Sequence, residues 1–232
     1  MRLLLPAIAF LVLTAGTAQA QFVRHMGWGD SIAGDQFVAP DCSALPDQSK
    51  LVISFTAPPN VNNLESVWGY IDFCTKPYAL PSWWTFAPYG GCRGDALSST
   101  SDFSSGPSTY TDPWGGRGQA TVQFEPSPVG DWGMARLEFQ VQASSGAPIP
   151  LQAGKEYYAS QIVFGNPDQG CDGCTLGACF VLNGLVLYHD GGVPYYTAMD
   201  YSNYCLWNVR YDCPFVVATQ PTTWGEMKAK YR

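Results

Sequence analysis

The sequence predicts an all-β protein: an antiparallel β-sandwich, jelly-roll or immunoglobulin-like, stapled by disulfides and ending in a short helix. Three observations carry that prediction. Apolar and polar residues alternate with period two over several stretches, the pattern of a strand with one buried face. The segments between them are rich in turn formers, with 24 Gly and 18 Pro in 232 residues, as a chain with many reversals requires. Eight Cys behind an export signal read as disulfides, because the compartment outside the cytoplasm is oxidising.

The elements follow in chain order. Residues 1–20 have the three parts of a secretory signal peptide. Arg2 precedes the apolar run Leu3–Ala15, and the small-residue triplet Ala18-Gln19-Ala20 ends it. That run is shorter than the roughly 18 to 20 residues a spanning helix needs. Cleavage is therefore expected after Ala20, with no membrane insertion afterwards. Residues 21–232 are expected to form one sandwich domain in the periplasm or outside the cell.

Leu51–Phe55 and Val67–Phe73 are the first candidate strands. Residues 119–125 place Ala120, Val122 and Phe124 on one face, and residues 134–141 place Ala135, Leu137, Phe139 and Val141 inward. Lys155–Phe164 and Cys179–Tyr188 are apolar on both faces, as central strands between layers would be. Pro214–Ala218 is a last short strand, and Leu97–Gly118, rich in Ser and Gly, reads as a surface loop. The expected helix spans 222–231, where Thr223 and Glu226 have capping-box spacing and basic residues occupy the last turn.

Composition narrows the partners. Nineteen acidic residues face twelve basic ones, and loss of Arg2 with the leader leaves eleven, a formal charge of 11 − 19 = −8. Nucleic acid and anionic membrane surfaces both demand basic patches, so neither is an expected partner. All eight cysteines, Cys42, Cys74, Cys92, Cys171, Cys174, Cys179, Cys205 and Cys213, are expected in disulfides, with connectivity open.

Several segments together resemble an uncharacterised family of secreted bacterial proteins. They are Trp28-Gly29-Asp30, Leu80-Pro81-Ser82-Trp83-Trp84-Thr85-Phe86, Gly91-Cys92-Arg93, Ala153-Gly154-Lys155-Glu156-Tyr157-Tyr158, Cys171-Asp172-Gly173-Cys174, Cys179-Phe180-Val181-Leu182-Asn183, Thr223-Trp224-Gly225-Glu226-Met227-Lys228 and Tyr231-Arg232. The chain departs at Ser31, where the family pattern has Cys, and Cys74 is additional. The resemblance implies secretion and a shared fold, and it brings no activity.

The motifs with chemical content are weaker. Gly29-Asp30-Ser31-Ile32 has the spelling of an esterase nucleophile block. The apolar strand before it and the late Asp-x-x-His partner of such enzymes are missing. Cys171-x-x-Cys174 with Cys179 and Cys205 or Cys213 could supply four thiolates to zinc, but disulfides compete in this compartment. No metal and no cofactor is expected. Asp72, Glu125 and Glu138 lie in candidate strands, and a facing pair could run glycoside hydrolysis. Arg93-Gly94-Asp95 spells an integrin tripeptide but reads as a turn beside Cys92. His25 and His189 are the only histidines and read as solvated.

Trp83, Trp84, Tyr89 and Trp114 are the candidate ligand-binding aromatics, a stacking platform for sugar rings. The function expected from all this is a secreted, non-enzymatic binding or surface-assembly domain. Its partner is polysaccharide, a surface protein or a second copy of itself. The alternative is an extracellular carbohydrate-active hydrolase.

Overall fold

The computed structural model describes residues 22–31, 34–42, 49–75, 80–86, 91–126, 134–144, 147–165, 170–196 and 203–208. The signal peptide expected at 1–20, Tyr89, Cys213, the strand expected at 214–218 and the helix expected at 222–231 lie outside these residues. In chain order the strands are β1 (Arg24–Trp28), β2 (Phe37–Val38), β3 (Lys50–Thr56), β4 (Asn63–Thr75), β5 (Leu97–Thr100) and β6 (Gly118–Pro126). They continue as β7 (Met134–Ala143), β8 (Ile149–Pro150), β9 (Glu156–Phe164), β10 (Ala178–His189), β11 (Tyr195–Tyr196) and β12 (Tyr204–Trp207).

They form a two-layer β-sandwich. One sheet has the order β1-β3-β9-β5. The other runs β2-β12-β10-β4-β7-β6, with β11 added beside β10 and β8 beside β4. Every ladder is antiparallel except the short β2–β12 pair. No helix among the described residues is long and apolar enough to cross a membrane.

The alternating segments fold as their pattern dictates. Ala120, Val122 and Phe124 of β6 stand opposite Val141, Phe139 and Leu137 of β7, so the apolar set of both strands shares the inner face. Gln119, Thr121, Gln123 and Glu125 alternate with them and are exposed. A one-residue slip would exchange the faces and bury four polar side chains, which fixes the register.

The two central strands, β9 and β10, are buried on both sides for different reasons. Over β9 lies Leu97–Gly118, expected to be a surface loop. It begins as the edge strand β5, folds back across the outer side of the smaller sheet and ends at the first residue of β6. Phe103 stacks on Tyr158 with ring centroids 4.5 Å apart, and Gln161 Nε2 donates to Asp102 O at 3.0 Å. On the outer side of β10, Cys179 and Val181 form a second small cluster with Cys74 and Leu206.

Two disulfides tie distant segments to one loop. Cys42–Cys174 and Cys92–Cys171 have sequence separations of 132 and 79. Closing loops of that length restrains the unfolded chain by about 4 to 5 kcal/mol each in the chain-entropy account. Cys179 is also disulfide-bonded. Cys74 and Cys205 correct the expectation of four bridges, because both are buried thiols. The ladder explains why they do not bridge each other. Cys205 pairs with the inward Phe180 and packs in the main core, whereas Cys74 stands opposite Cys179 on the outer side.

Candidate functional site

The aromatic platform expected at Trp83, Trp84 and Trp114 is corrected by their burial. All three are 1 % exposed or less. Trp83 and Trp84 sit in a tight turn at Ser82–Trp84 that is clamped to the 171–174 loop, since the backbone N–H of Trp83 donates to Asp172 O at 2.9 Å. From there Trp84 enters the core, where its ring meets Phe73, Phe164, Phe180 and Trp207 at centroid distances of 5.2–5.9 Å. Arg93 Cζ lies 3.9 Å from the centre of the Trp83 ring. Trp114 donates from Nε1 to Ala159 O at 3.0 Å, at the bulge of β9. It anchors the overlying loop. Tyr89 is outside the described residues.

The same corner absorbs other motifs. Arg93 is 1 % exposed, donates from Nη2 to Gly165 O and has its pKa lowered by burial to about 10. The integrin tripeptide therefore cannot present its arginine. Cys171 and Cys174 are each joined to a distant cysteine and not to a metal. Asp30 of the esterase-like block accepts from Ser31 N at 2.6 Å and from Thr109 Oγ1 at 2.6 Å, and so pins the loop over the small sheet. Ser31 itself is buried, with its hydroxyl 3.5 Å from Asp30. His25 and His189 stand on different sheets, and the His189 ring bonds Val193 O at 3.1 Å.

A polar cleft of about 530 Å³ opens beside this loop, lined by Ser99, Asp102, Asp112 and Gly115 among others. Its two carboxylates are engaged locally. Asp102 accepts from Ser104 N, and Asp112 from Trp114 N and Gly115 N. They close turns, and nothing in the cleft pairs them for acid–base work.

The outer face of the larger sheet is different. β4 sends Val67, Gly69, Ile71 and Phe73 inward, so Trp68, Tyr70 and Asp72 point out. The register aligns them in cross-strand rows. The first row is Tyr196, Val186, Trp68, Gln140 and Thr121, on β11, β10, β4, β7 and β6. The second is Gly184, Tyr70, Glu138 and Gln123, and the third Val181, Asp72, Arg136 and Glu125. Side chains directly opposite share a face and touch. Trp68, Thr121, Gln123, Glu138 and Gln140 line a shallow depression of about 130 Å³.

The face is braced from below. Asp72 is 5 % exposed and holds Arg136 through two hydrogen bonds, Nε to Oδ1 at 2.6 Å and Nη2 to Oδ2 at 3.0 Å. That bond raises the Arg136 pKa against the effect of its partial burial. Asn183 sits at a bulge in β10 between Leu182 and Gly184, and its amide reaches Asp72 Oδ2 at 2.6 Å. Bulges re-aim a side chain in this way. Arg136 Cζ then lies 4.4 Å from the centre of the Tyr70 ring. Gly184 lets that ring lie close, because a Cβ there would stand 2.1 Å from Tyr70 Cε1. Held between Arg136 and Gly184, Tyr70 backs Trp68 at a centroid distance of 5.5 Å.

The face thus combines half-buried and exposed aromatic rings with amide, hydroxyl and carboxylate groups. Of the carboxylates weighed from sequence, all three stand on it. Asp72 is consumed by Arg136 and Asn183, while Glu125 is exposed and Glu138 half-buried on an open sheet. Hydrolysis by two carboxylates needs them on either side of the scissile glycosidic bond, one as acid and the other as nucleophile or as base to a water. No protein-family model matches the chain, and no curated protein matches it.

Proposed function

We propose that this chain is an exported, non-enzymatic binding domain that holds a polysaccharide on the outer face of its larger sheet. Export is supported by the leader-like pattern of residues 1–20 and by the disulfides, which persist in oxidising compartments. The observation that carries the binding reading is the outward Trp68–Tyr70 pair, locked by the Asp72–Arg136–Asn183 network and bordered by Gln123, Gln140 and Thr121. An apolar ring with neighbouring hydrogen-bonding groups matches a sugar, which has an apolar ring face and hydroxyls around its edge. Fixing the ring before binding lowers the entropy lost on association.

Affinity electrophoresis and pull-down on insoluble polysaccharides test the proposal, using the mature chain purified from an oxidising compartment. Trp68→Ala is expected to abolish retention while leaving the melting temperature within a few degrees of the parent. Retention unchanged in Trp68→Ala would overturn the assignment of the face. Release of reducing ends would overturn the non-enzymatic reading. A dimer that dissociates in Trp68→Ala without any glycan retention would make the face a contact between copies.

A further inference from the structure

The cross-strand placement of the aromatic residues bears on which kind of polysaccharide the face fits. The inference rests on the glycan-binding reading of the same face. Tyr196 and Trp68 occupy one cross-strand row with the buried Val186 between them. Each step between neighbouring strands is about 4.8 Å, so the two residues stand two strand spacings, about 10 Å, apart along the backbone. Tyr196 is 63 % exposed and projects at the sheet edge, and Trp68 is half-buried nearer the middle. Tyr188, 37 % exposed, is the next outward residue along β10 and widens the strip. Beyond Trp68 the row continues to Gln140 and Thr121, both exposed and both able to donate and accept hydrogen bonds. No residue of this row carries a charge.

We infer that the ligand is a neutral, extended β-linked glycan lying across the strands, with alternate sugar rings on Tyr196 and Trp68. In a flat β-1,4-linked chain successive rings turn over, so alternate rings present the same face to one side. Two aromatic side chains about two strand spacings apart meet that repeat. A helical α-linked glucan curves away from a straight row and offers only one ring at a time. A polyuronate is disfavoured, because Arg136, the one cation aligned with these rows, is held by Asp72 and the chain as a whole is acidic. Gln140 and Thr121 bond the hydroxyls of the ring beyond Trp68, which gives the site its end.

Titration calorimetry with cello-, xylo- and chito-oligosaccharides of increasing length tests this, with soluble starch and polygalacturonate as the contrasting polymers. Affinity is expected to rise roughly tenfold once a chain is long enough to reach both rings, the gain of one further aromatic contact. Tyr196→Ala removes that rise and leaves the weak binding of the disaccharide, whereas Trp68→Ala removes both. Tyr196 is exposed, so its variant folds, and an unchanged melting curve verifies this. A Tyr196→Ala protein that keeps the full length dependence overturns the inference, and so does equal or tighter binding of starch or polygalacturonate. Either result leaves the glycan-binding reading in place. Binding of none of these polymers by the parent overturns that reading and the inference together.

Discussion

Replacing Gly184 with alanine asks whether Tyr70 is held where the site needs it. Gly184 is not in the left-handed region of backbone space, so an alanine there is compatible with the chain path. On backbone grounds alone the substitution would stabilise by about 0.4–1 kcal/mol, because alanine restricts the unfolded chain. The new Cβ, however, would stand 2.1 Å from Tyr70 Cε1, 2.7 Å from Cζ and 2.8 Å from Cδ1. Ordinary carbon contacts are near 3.5–4.0 Å, so the ring must move by more than an ångström. Arg136 lies over the ring and Trp68 stands beside it, so it moves off its rotamer or the β4–β10 ladder opens. Overpacking of this kind costs about 1–3 kcal/mol, which outweighs the backbone gain. For a domain of this size the net loss of about 1–2 kcal/mol lowers the melting temperature by about 2–8 °C. Thermal melts and urea titrations of Gly184→Ala, Tyr70→Ala and the double variant give the coupling directly. With Tyr70 truncated, Gly184→Ala is expected to be neutral or stabilising. A single Gly184→Ala variant that melts at or above the parent would refute the packing argument, and with it the claim that Tyr70 backs Trp68.

Two further outcomes follow from the thiols and from a tyrosine. Full reduction of the purified protein should add six hydrogens, two for each bridge made by Cys42–Cys174, Cys92–Cys171 and Cys179. Before reduction, Cys74 and Cys205 should label with a thiol reagent only in denaturant; a gain of eight hydrogens, or labelling in the native protein, would contradict this. Tyr110 has its pKa raised to about 12, by desolvation first and then by the charges of Glu156 and Asp30, and burial raises that of Cys205 as well. Both are acids whose folded pKa exceeds the unfolded one, so above the unfolded values the native state holds protons that the unfolded state has released. Stability is therefore expected to be intact below about pH 8.5 and to fall as the pH rises through 10 toward 12. Melting curves that are flat across that range, with phenolate absorbance appearing at the ordinary tyrosine pKa, would show that neither group is shielded.

Much of the frame was legible in the sequence because burial of one face leaves a clean period of two. The faces of β6 and β7 follow from Ala120, Val122 and Phe124 and from Ala135, Leu137, Phe139 and Val141, and the register bears them out. β1, β5 and β12 did not show, for they are four or five residues long and owe their existence to their neighbours. Leu97-Ser98-Ser99-Thr100 looks like loop and is a strand only because β9 lies beside it. The proposed binding face stayed hidden for another reason. In Val67–Phe73 both alternating sets are apolar or aromatic, so the pattern gives the strand without saying which set is inside. The signal present was Asp72, since a charged residue belongs with the polar face and carries Trp68 and Tyr70 there with it. Trp83-Trp84 misled because adjacent tryptophans suggest a surface platform, whereas a single tight turn buries both.

The placement of the motifs separates what the frame needs from what the face does. Most of the segments on which the resemblance to secreted bacterial proteins rests, apart from residues 223–232 outside the described chain, lie in the core or the disulfide corner, and Ala153-Gly154-Lys155 form an exposed turn before β9. Trp28 bonds Leu206 O and packs on Trp207 and Phe180; Trp83 and Arg93 stack; and Cys171 and Cys174 form the two bridges. Within Cys179–Asn183, Cys179 and Val181 are buried on the outer side of β10, and Asn183 is the bulge residue that braces Asp72. β4, β6, β7 and β11, which supply Trp68, Tyr70, Gln123, Gln140 and Tyr196, carry none of those segments. A core position is constrained by volume and by the rings around it, whereas an outward strand position is constrained only by what it binds. Chains sharing the motifs would therefore share this sandwich and its corner, and their ligands would be set independently by the outward residues of four strands.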